Sequence, residues 1–337
     1  MKINNISSKI KKILPVIGIS IFIYLILDIG IDKIWYTFSK ISVIYVLFIF
    51  LVSILSMIFY NFQWQLIFKK QKIKIGFFES LKILFIGDFY RSISPACVGT
   101  WMKIPYLKEK TDEPYGKLFI NCLILSVLST LTFLLLLTLC SFSMASMIPI
   151  AFPIVSIIFA IIAAILLFFI NKQRGEKALH ILIRFFVPKK SKPFFNRFIS
   201  TFYKDFPSIK GLVIPFIMGL IGITFYYSIL YTLALELEIT ITFSTFIMVY
   251  PFVTAVSFLP ISPGSIGIRE LTAASIFSLF GVGMAEAVVL SLAAYLLFST
   301  PSVLIGFVFS STWVKNAKKD RIRISSIKKF ITTSFKS

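Results

Sequence analysis

Two short stretches of this chain join residues that end a helix to residues that hold an anion. Ile93-Ser94-Pro95-Ala96-Cys97-Val98-Gly99 and Ile261-Ser262-Pro263-Gly264-Ser265-Ile266-Gly267 agree at four positions, with Val98 against Ile266 at a fifth. A cation follows each, Lys103 in the first and Arg269 in the second. Proline lacks an N–H and stops the preceding helix, while glycine permits sharp reversal and close backbone approach. A helix restarting after such a break presents free N–H groups and the positive end of its dipole, which together attract anions. Lys103 and Arg269 add full charges, and a guanidinium grips phosphate through two parallel hydrogen bonds. The expected chemistry is phosphate recognition, with no catalytic residue assigned. Substrate-binding candidates are Asp88, Arg91, Pro95, Gly99 and Lys103 at the first break, and Ser262, Pro263, Gly264, Gly267, Arg269 and Glu270 at the second. Asp88 and Arg91 stand three apart and can pair on one helical face. Glu270 either neutralises Arg269 at rest or meets a cationic part of the substrate. Helix kinks shared by chance are the alternative origin of the echo.

The elements that must position these residues are membrane helices. A span needs about 20 mostly apolar residues. Such runs occur at Ile13–Ile31, Ile41–Tyr60, Leu118–Cys140, Met147–Ile170, Leu212–Leu233, Ile239–Pro260, Ile266–Phe280 (short) and Ala285–Ser311. About eight crossings place both termini on one side. The stretch from Phe77 to Leu107 is apolar only in patches and holds Glu79, Asp88, Arg91 and Lys103. It is expected to be a re-entrant helical hairpin broken at Ser94–Pro95, because irregular backbone at membrane depth survives only beside protein or a water-filled cavity. The first break is then approached from the cytoplasm and the second from outside. Matching breaks in two halves are the signature of an inverted repeat with a site between them.

Composition agrees. Of 337 residues 58% are apolar and 15% charged, against roughly 25% charged in soluble domains. The net charge of +21 is not spread as a nucleic-acid surface would be: ten Lys and Arg fall between Lys172 and Lys210 and eight from Lys315 onward. Basic residues clustered in alternate connections follow the positive-inside pattern. They predict cytoplasmic termini in a plasma or inner membrane and contacts with anionic lipids of the cytoplasmic leaflet. The expected organisation is a single transmembrane domain over residues 1–314, with a basic loop at 171–211 carrying an interfacial helix, and a basic tail at 315–337. The loop and tail mainly read as lipid-facing anchors. Asp28, Glu236, Glu238 and Glu286 sit near span ends, within reach of water. Three scattered cysteines and the single His180 predict no disulfide framework, no metal site and no cofactor. No cleavable signal peptide is expected.

Around the second break the chain resembles the transmembrane region of lysylphosphatidylglycerol synthases, a family of flippase-like membrane proteins. The segment from Pro260 to Glu270 is similar to that family's late Pro/Gly-rich stretch ending in Gly-x-Arg-Glu, and Leu279-Phe280-Gly281-Val282 follows as its usual turn. The stretch from Gly87 through Pro95 and Gly99 to Lys103 and Leu107 resembles the family's first block, although Thr100 stands where an acidic residue is frequent. The resemblance implies an all-α polytopic fold with re-entrant elements. It also implies movement of an anionic phospholipid or a polyprenyl-phosphate-linked saccharide between leaflets. Full-length synthases add a cytosolic aminoacyl-transfer domain, which the residues after Ser311 are too few to form, so lipid aminoacylation is not expected. The competing expectations are a membrane-embedded transferase on lipid-linked sugars, with Asp88 or Glu270 as base, and a non-transporting scaffold that recruits an envelope-lipid synthase through its basic loop.

Overall fold

A computed structural model describes residues 20–186, 192–258 and 265–319. These are helices joined by turns, with no strand among the described residues. In chain order they are α1 (Ser20–Ile29), α2 (Ile31–Ser39), α3 (Val43–Lys70), α4 (Phe77–Ile93), a 3-10 helix (Pro95–Met102), α5 (Lys103–Thr111) and α6 (Tyr115–Ser143). There follow α7 (Ala151–Ile170), α8 (Lys172–Phe186), α9 (Lys192–Phe202), α10 (Ile209–Glu236), α11 (Phe243–Ala255) with a 3-10 turn (Val256–Phe258), α12 (Ile268–Ser278) and α13 (Met284–Lys319).

Five of these, α3, α6, α7, α10 and α13, are long and apolar enough to cross a bilayer. Helix α7 shows why water is the wrong solvent. Val155 is its only clearly buried residue, while Ile154, Ile157, Ile158, Ile161, Ile165, Leu167 and Phe168 point outward. Monomeric soluble proteins rarely leave so large an apolar surface uncovered; lipid tails cover it. The chain is an all-α polytopic membrane protein.

The helices differ from the expected spans in places. The run expected over Ile239–Pro260 is helical from Phe243 and gives way to a 3-10 turn at Val256. Thr242 starts it, its Oγ1 accepting from Thr245 N–H at 3.3 Å. The run expected over Ile266–Phe280 yields only the 11 residues of α12. At about 1.5 Å per residue that is roughly 17 Å, half the hydrocarbon thickness, so α12 is a half-helix. The basic loop holds two helices, α8 and α9, where one was expected. Leu179 and Ile183 of α8 pack inward while Ile181 and Phe185, one turn apart, face out; such an amphipathic helix suits an interface. The start of the first expected span, the segment 259–264 and the tail from residue 320 lie outside the described residues.

The chain forms two compact units. One comprises Met1–Ser56, Thr132–Phe159 and Leu220–Pro301; the other comprises Met57–Leu131, Ala160–Gly219 and Ser302–Ser337. The first is built around Tyr227, Leu230, Phe246, Val249, Phe277 and Leu290, with Phe246 stacked on Tyr250 at 5.1 Å. The second is built around Trp64, Phe68, Ile83, Ile104, Leu118 and Leu125. The first break lies in the second unit and the second break in the first unit.

Candidate functional site

The first break has the expected place and form. Helix α4 stops at Ile93, Ser94 takes an extended conformation (ψ 141°), and the chain resumes as the 3-10 helix with Pro95 in its first turn. The restart supplies fewer free donors than expected. Pro95 has no N–H, Gly99 N–H donates to Ser94 Oγ at 2.6 Å, and the 3-10 helix runs directly into α5, so the Lys103 N–H is already spent on Thr100 O. The full positive charge at this break is that of the Lys103 side chain.

Contacts between α4 and α5 define an antiparallel hairpin. Lys110 pairs with Glu79 at 3.2 Å, Lys103 lies against Gly87, and Gly99 lies against the backbone of Tyr90. As the first partner advances along α4, the second retreats along the returning chain. Two glycines make the approach feasible. A Cβ on Gly87 would stand 2.6 Å from Lys103 Cγ and 2.8 Å from its Cδ, and a Cβ on Gly99 would meet the Tyr90 carbonyl. Real Cβ atoms do not approach that closely, so the aliphatic stem of Lys103 lies in space that only a glycine leaves open. The Tyr90 hydroxyl, hydrogen-bonded to Ser310 Oγ at 2.9 Å, fastens α4 to α13.

Lys103 is 6% exposed. Its ammonium sits 5.5 Å above the centre of the Trp64 ring, and among the described residues no carboxylate is within ion-pair distance of it. Asp88 and Arg91, the charges that act on it from α4, pair with each other at 3.4 Å, as their spacing predicts. Trp64 is itself held: its indole N–H donates to Asn121 Oδ1 at 2.7 Å, and Asn121 Nδ2 donates to Gln71 Oε1 at 2.7 Å. A buried cation above an electron-rich ring is attracted to it, but the ring does not cancel the charge. An anion would. Trp64, Asn121 and Gln71 were not among the expected site residues. Their signal was Asn61, Gln63 and Gln65 flanking Trp64 within an otherwise apolar span, since amides in hydrocarbon must find partners. Asn61 bonds Phe77 O, Gln63 bonds Pro215 O and Gln65 bonds Ser80 Oγ.

The second break is only partly described: Ser262, Pro263 and Gly264, all expected site residues, lie outside the described residues. Beyond them Ser265 Oγ donates to Ser257 O at 3.1 Å, and Gly267 caps α12 at φ 93°, a conformation open to glycine. Glu270 Oε2 accepts from Gly267 N–H at 2.7 Å, the side-chain-to-backbone half of a capping box. Glu270 Oε1 accepts from Arg269 Nη2 at 2.7 Å and from Ser291 Oγ at 3.2 Å. Arg269 Nε donates to Ser291 Oγ at 3.0 Å, and its guanidinium carbon lies 4.4 Å from the Tyr295 ring centre. Both side chains are buried, at 7% and 0% exposure. Of the two roles open to Glu270, this arrangement is the resting neutralisation of Arg269. Glu270 Oε1 takes hydrogen bonds from both Nε and Nη2 of that guanidinium, at 3.2 and 2.7 Å. Ser291 and Tyr295, supplied by α13, carried no signal in the sequence.

Elsewhere the expected end-of-span carboxylates reach water or local partners. Glu236 accepts from Ser42 N–H and Oγ at 2.9 and 2.6 Å, and Glu238 pairs with Lys40 at 2.5 Å. His180 is exposed on α8. Among the described residues no cluster of His, Cys, Asp or Glu is arranged to hold a metal ion.

Comparison with known proteins fits this architecture. Residues 13–306 match the family model described as the lysylphosphatidylglycerol synthase TM region, and the chain belongs to that family. No curated protein matches the chain. The family is a membrane domain, often flippase-like or associated with lipid modification.

Proposed function

We propose that this protein is a flippase-like transporter that moves an anionic phospholipid or a polyprenyl-phosphate-linked saccharide between leaflets of the plasma or inner membrane, with both chain termini cytoplasmic. One observation carries the proposal: Lys103 is buried at a helix break, and no carboxylate among the described residues lies within ion-pair distance of it. A lone charge in a low-dielectric setting costs several kcal/mol, and a fold that needed only packing at this position would do better with an apolar side chain. A phosphate group supplies the missing counter-charge, while the acyl or prenyl tail stays in lipid. Asp88 and Arg91, paired and partly exposed on the same hairpin, give a head group a polar approach to Lys103. Gly87 fixes where the ammonium stands.

The test is translocation of a fluorescent anionic lipid in proteoliposomes, followed by chemical quenching of the outer leaflet. Lys103→Met retains the stem and removes the charge. It is expected to lower the translocation rate at least tenfold with folding intact. A wild-type rate in that variant would overturn the proposal.

A further inference from the structure

The end of α3 carries a feature that has no part in the transport proposal. Helix α3 closes with Lys72 in the left-handed region (φ 54°) and with Ile73 N–H donating to Phe68 O at 2.9 Å. Such a cap reverses the chain sharply. The segment 72–76, the last turns of α3 and the first turns of α10 line a groove of about 1010 Å³, at the upper end of ordinary ligand-pocket volumes.

Its lining is divided by chemistry. Phe62, Leu66, Ile73, Ile75, Ile214 and Met218 make the walls, while Lys69, Lys72 and Lys74 supply cations and no carboxylate takes part. Lys72 is shared with Asp205, 3.5 Å away; Lys69 and Lys74 are exposed and have no ion-pair partner among the described residues. Phe62 and Ile214 are half exposed, so the apolar wall continues onto the outer face of two spanning helices. Free phosphate has no use for such walls, and a neutral hydrocarbon has no use for the lysines. The molecule that needs both is a lipid with a charged head.

We infer that this groove binds one anionic glycerophospholipid, its phosphate between Lys69 and Lys74 and an acyl chain along Leu66, Ile75, Ile214 and Met218. The basic end of α3 places it in the cytoplasmic leaflet under the positive-inside rule. The groove shares no lining residue with the surroundings of Lys103, so it stands whether or not the protein moves lipid.

Native mass spectrometry of the purified full chain, released from nanodiscs of mixed phosphatidylglycerol and phosphatidylcholine, tests it. In a Lys103→Met background, which removes the phosphate contact of the proposed function, the chain is expected to retain one phosphatidylglycerol in preference to phosphatidylcholine. Each lysine near a charged head group is worth about fivefold in affinity, so Lys69→Gln with Lys74→Gln should weaken retention roughly 25-fold. Met218→Trp, which fills the apolar end and leaves the lysines in place, should also displace the lipid. Equal retention of the two lipids, or undiminished phosphatidylglycerol in either groove variant, would overturn the inference.

Discussion

At the first break the buried cation is a lysine that stacks on Trp64 and meets no carboxylate among the described residues. At the second it is an arginine, buried to the same degree and enclosed by Glu270, Ser291 and Tyr295. The sequence around the two is similar; the electrostatic outcome is opposite. Arg269 and Glu270 behave as a structural pair, with the carboxylate also tying Gly267 N–H to the start of α12. Lys103 has no such partner among the described residues, and under the proposed function a phosphate supplies it. A paired buried charge is costly to disrupt, and an unpaired one is costly to keep. The two breaks therefore predict different responses to the same kind of substitution.

The largest effect is expected at the second break. Arg269→Met leaves Glu270 charged and uncompensated at a fully buried position, which should cost about 3–5 kcal/mol, read as a lowered melting temperature in detergent. Adding Glu270→Gln to that variant should restore much of the loss, because the stranded charge is then gone. If the double variant were as unstable as the single, the pair would not be the reason for the stability. Loss of transport in Arg269→Met would report on folding as well as on function, which makes Lys103 the cleaner probe.

Next come the glycines of the hairpin. Gly99→Ala drives a Cβ into the Tyr90 carbonyl, and Gly87→Ala drives one into the Lys103 stem. Overpacking costs about 1–3 kcal/mol, and the cost should be greater at Gly99, where the obstacle is backbone, than at Gly87, where a side chain can yield. Gly87→Ala should instead displace the ammonium, lowering translocation by more than its stability loss explains. Gly76→Ala, with open space around the new methyl, is the matched control and should change neither quantity.

A smaller effect is expected of Lys103→Met on stability. Replacing an unpaired buried cation with an apolar chain should leave the melting temperature unchanged or slightly raised. A fall as large as that of Arg269→Met would make Lys103 structural and erase the contrast between the breaks.

The smallest effect concerns a cation that is paired outside the breaks. Lys117, buried at the start of α6, bonds Glu113 at 2.8 Å and Asp205 at 3.0 Å. The Lys117 hydrogen bond and charge hold the Asp205 carboxyl below its usual range. A depressed folded-state value means that the contribution is complete above the unfolded pKa, about 3.9, and is lost as pH falls through the folded value. Melting temperatures of Asp205→Asn and wild type should therefore differ near neutral pH and converge as pH falls below the ordinary carboxylate range. A constant difference across that range would remove the ion pair as the cause.

Much of the architecture was legible in the residues themselves. Apolar runs of about 20 residues mark spans because bilayer thickness fixes helix length. Ser94–Pro95 marked a break because proline cannot continue the hydrogen-bond ladder, and Asp88–Arg91 marked a pair because three residues make nearly one turn. The half-helix α12 was visible only as a run that was too short, since the sequence does not say whether a short apolar segment tilts, stops or folds back.

What the sequence determined by itself, then, is which segments prefer lipid, where helices must stop and which cations lie near the stops. Those follow from solvation, chain geometry and backbone hydrogen bonding, all of them local. Whether a cation is cancelled was decided only by the tertiary structure. That depends on atoms within about 4 Å, where Coulomb energy is steep, and those atoms come from distant segments: Trp64 on α3 for Lys103, and Ser291 and Tyr295 on α13 for Arg269.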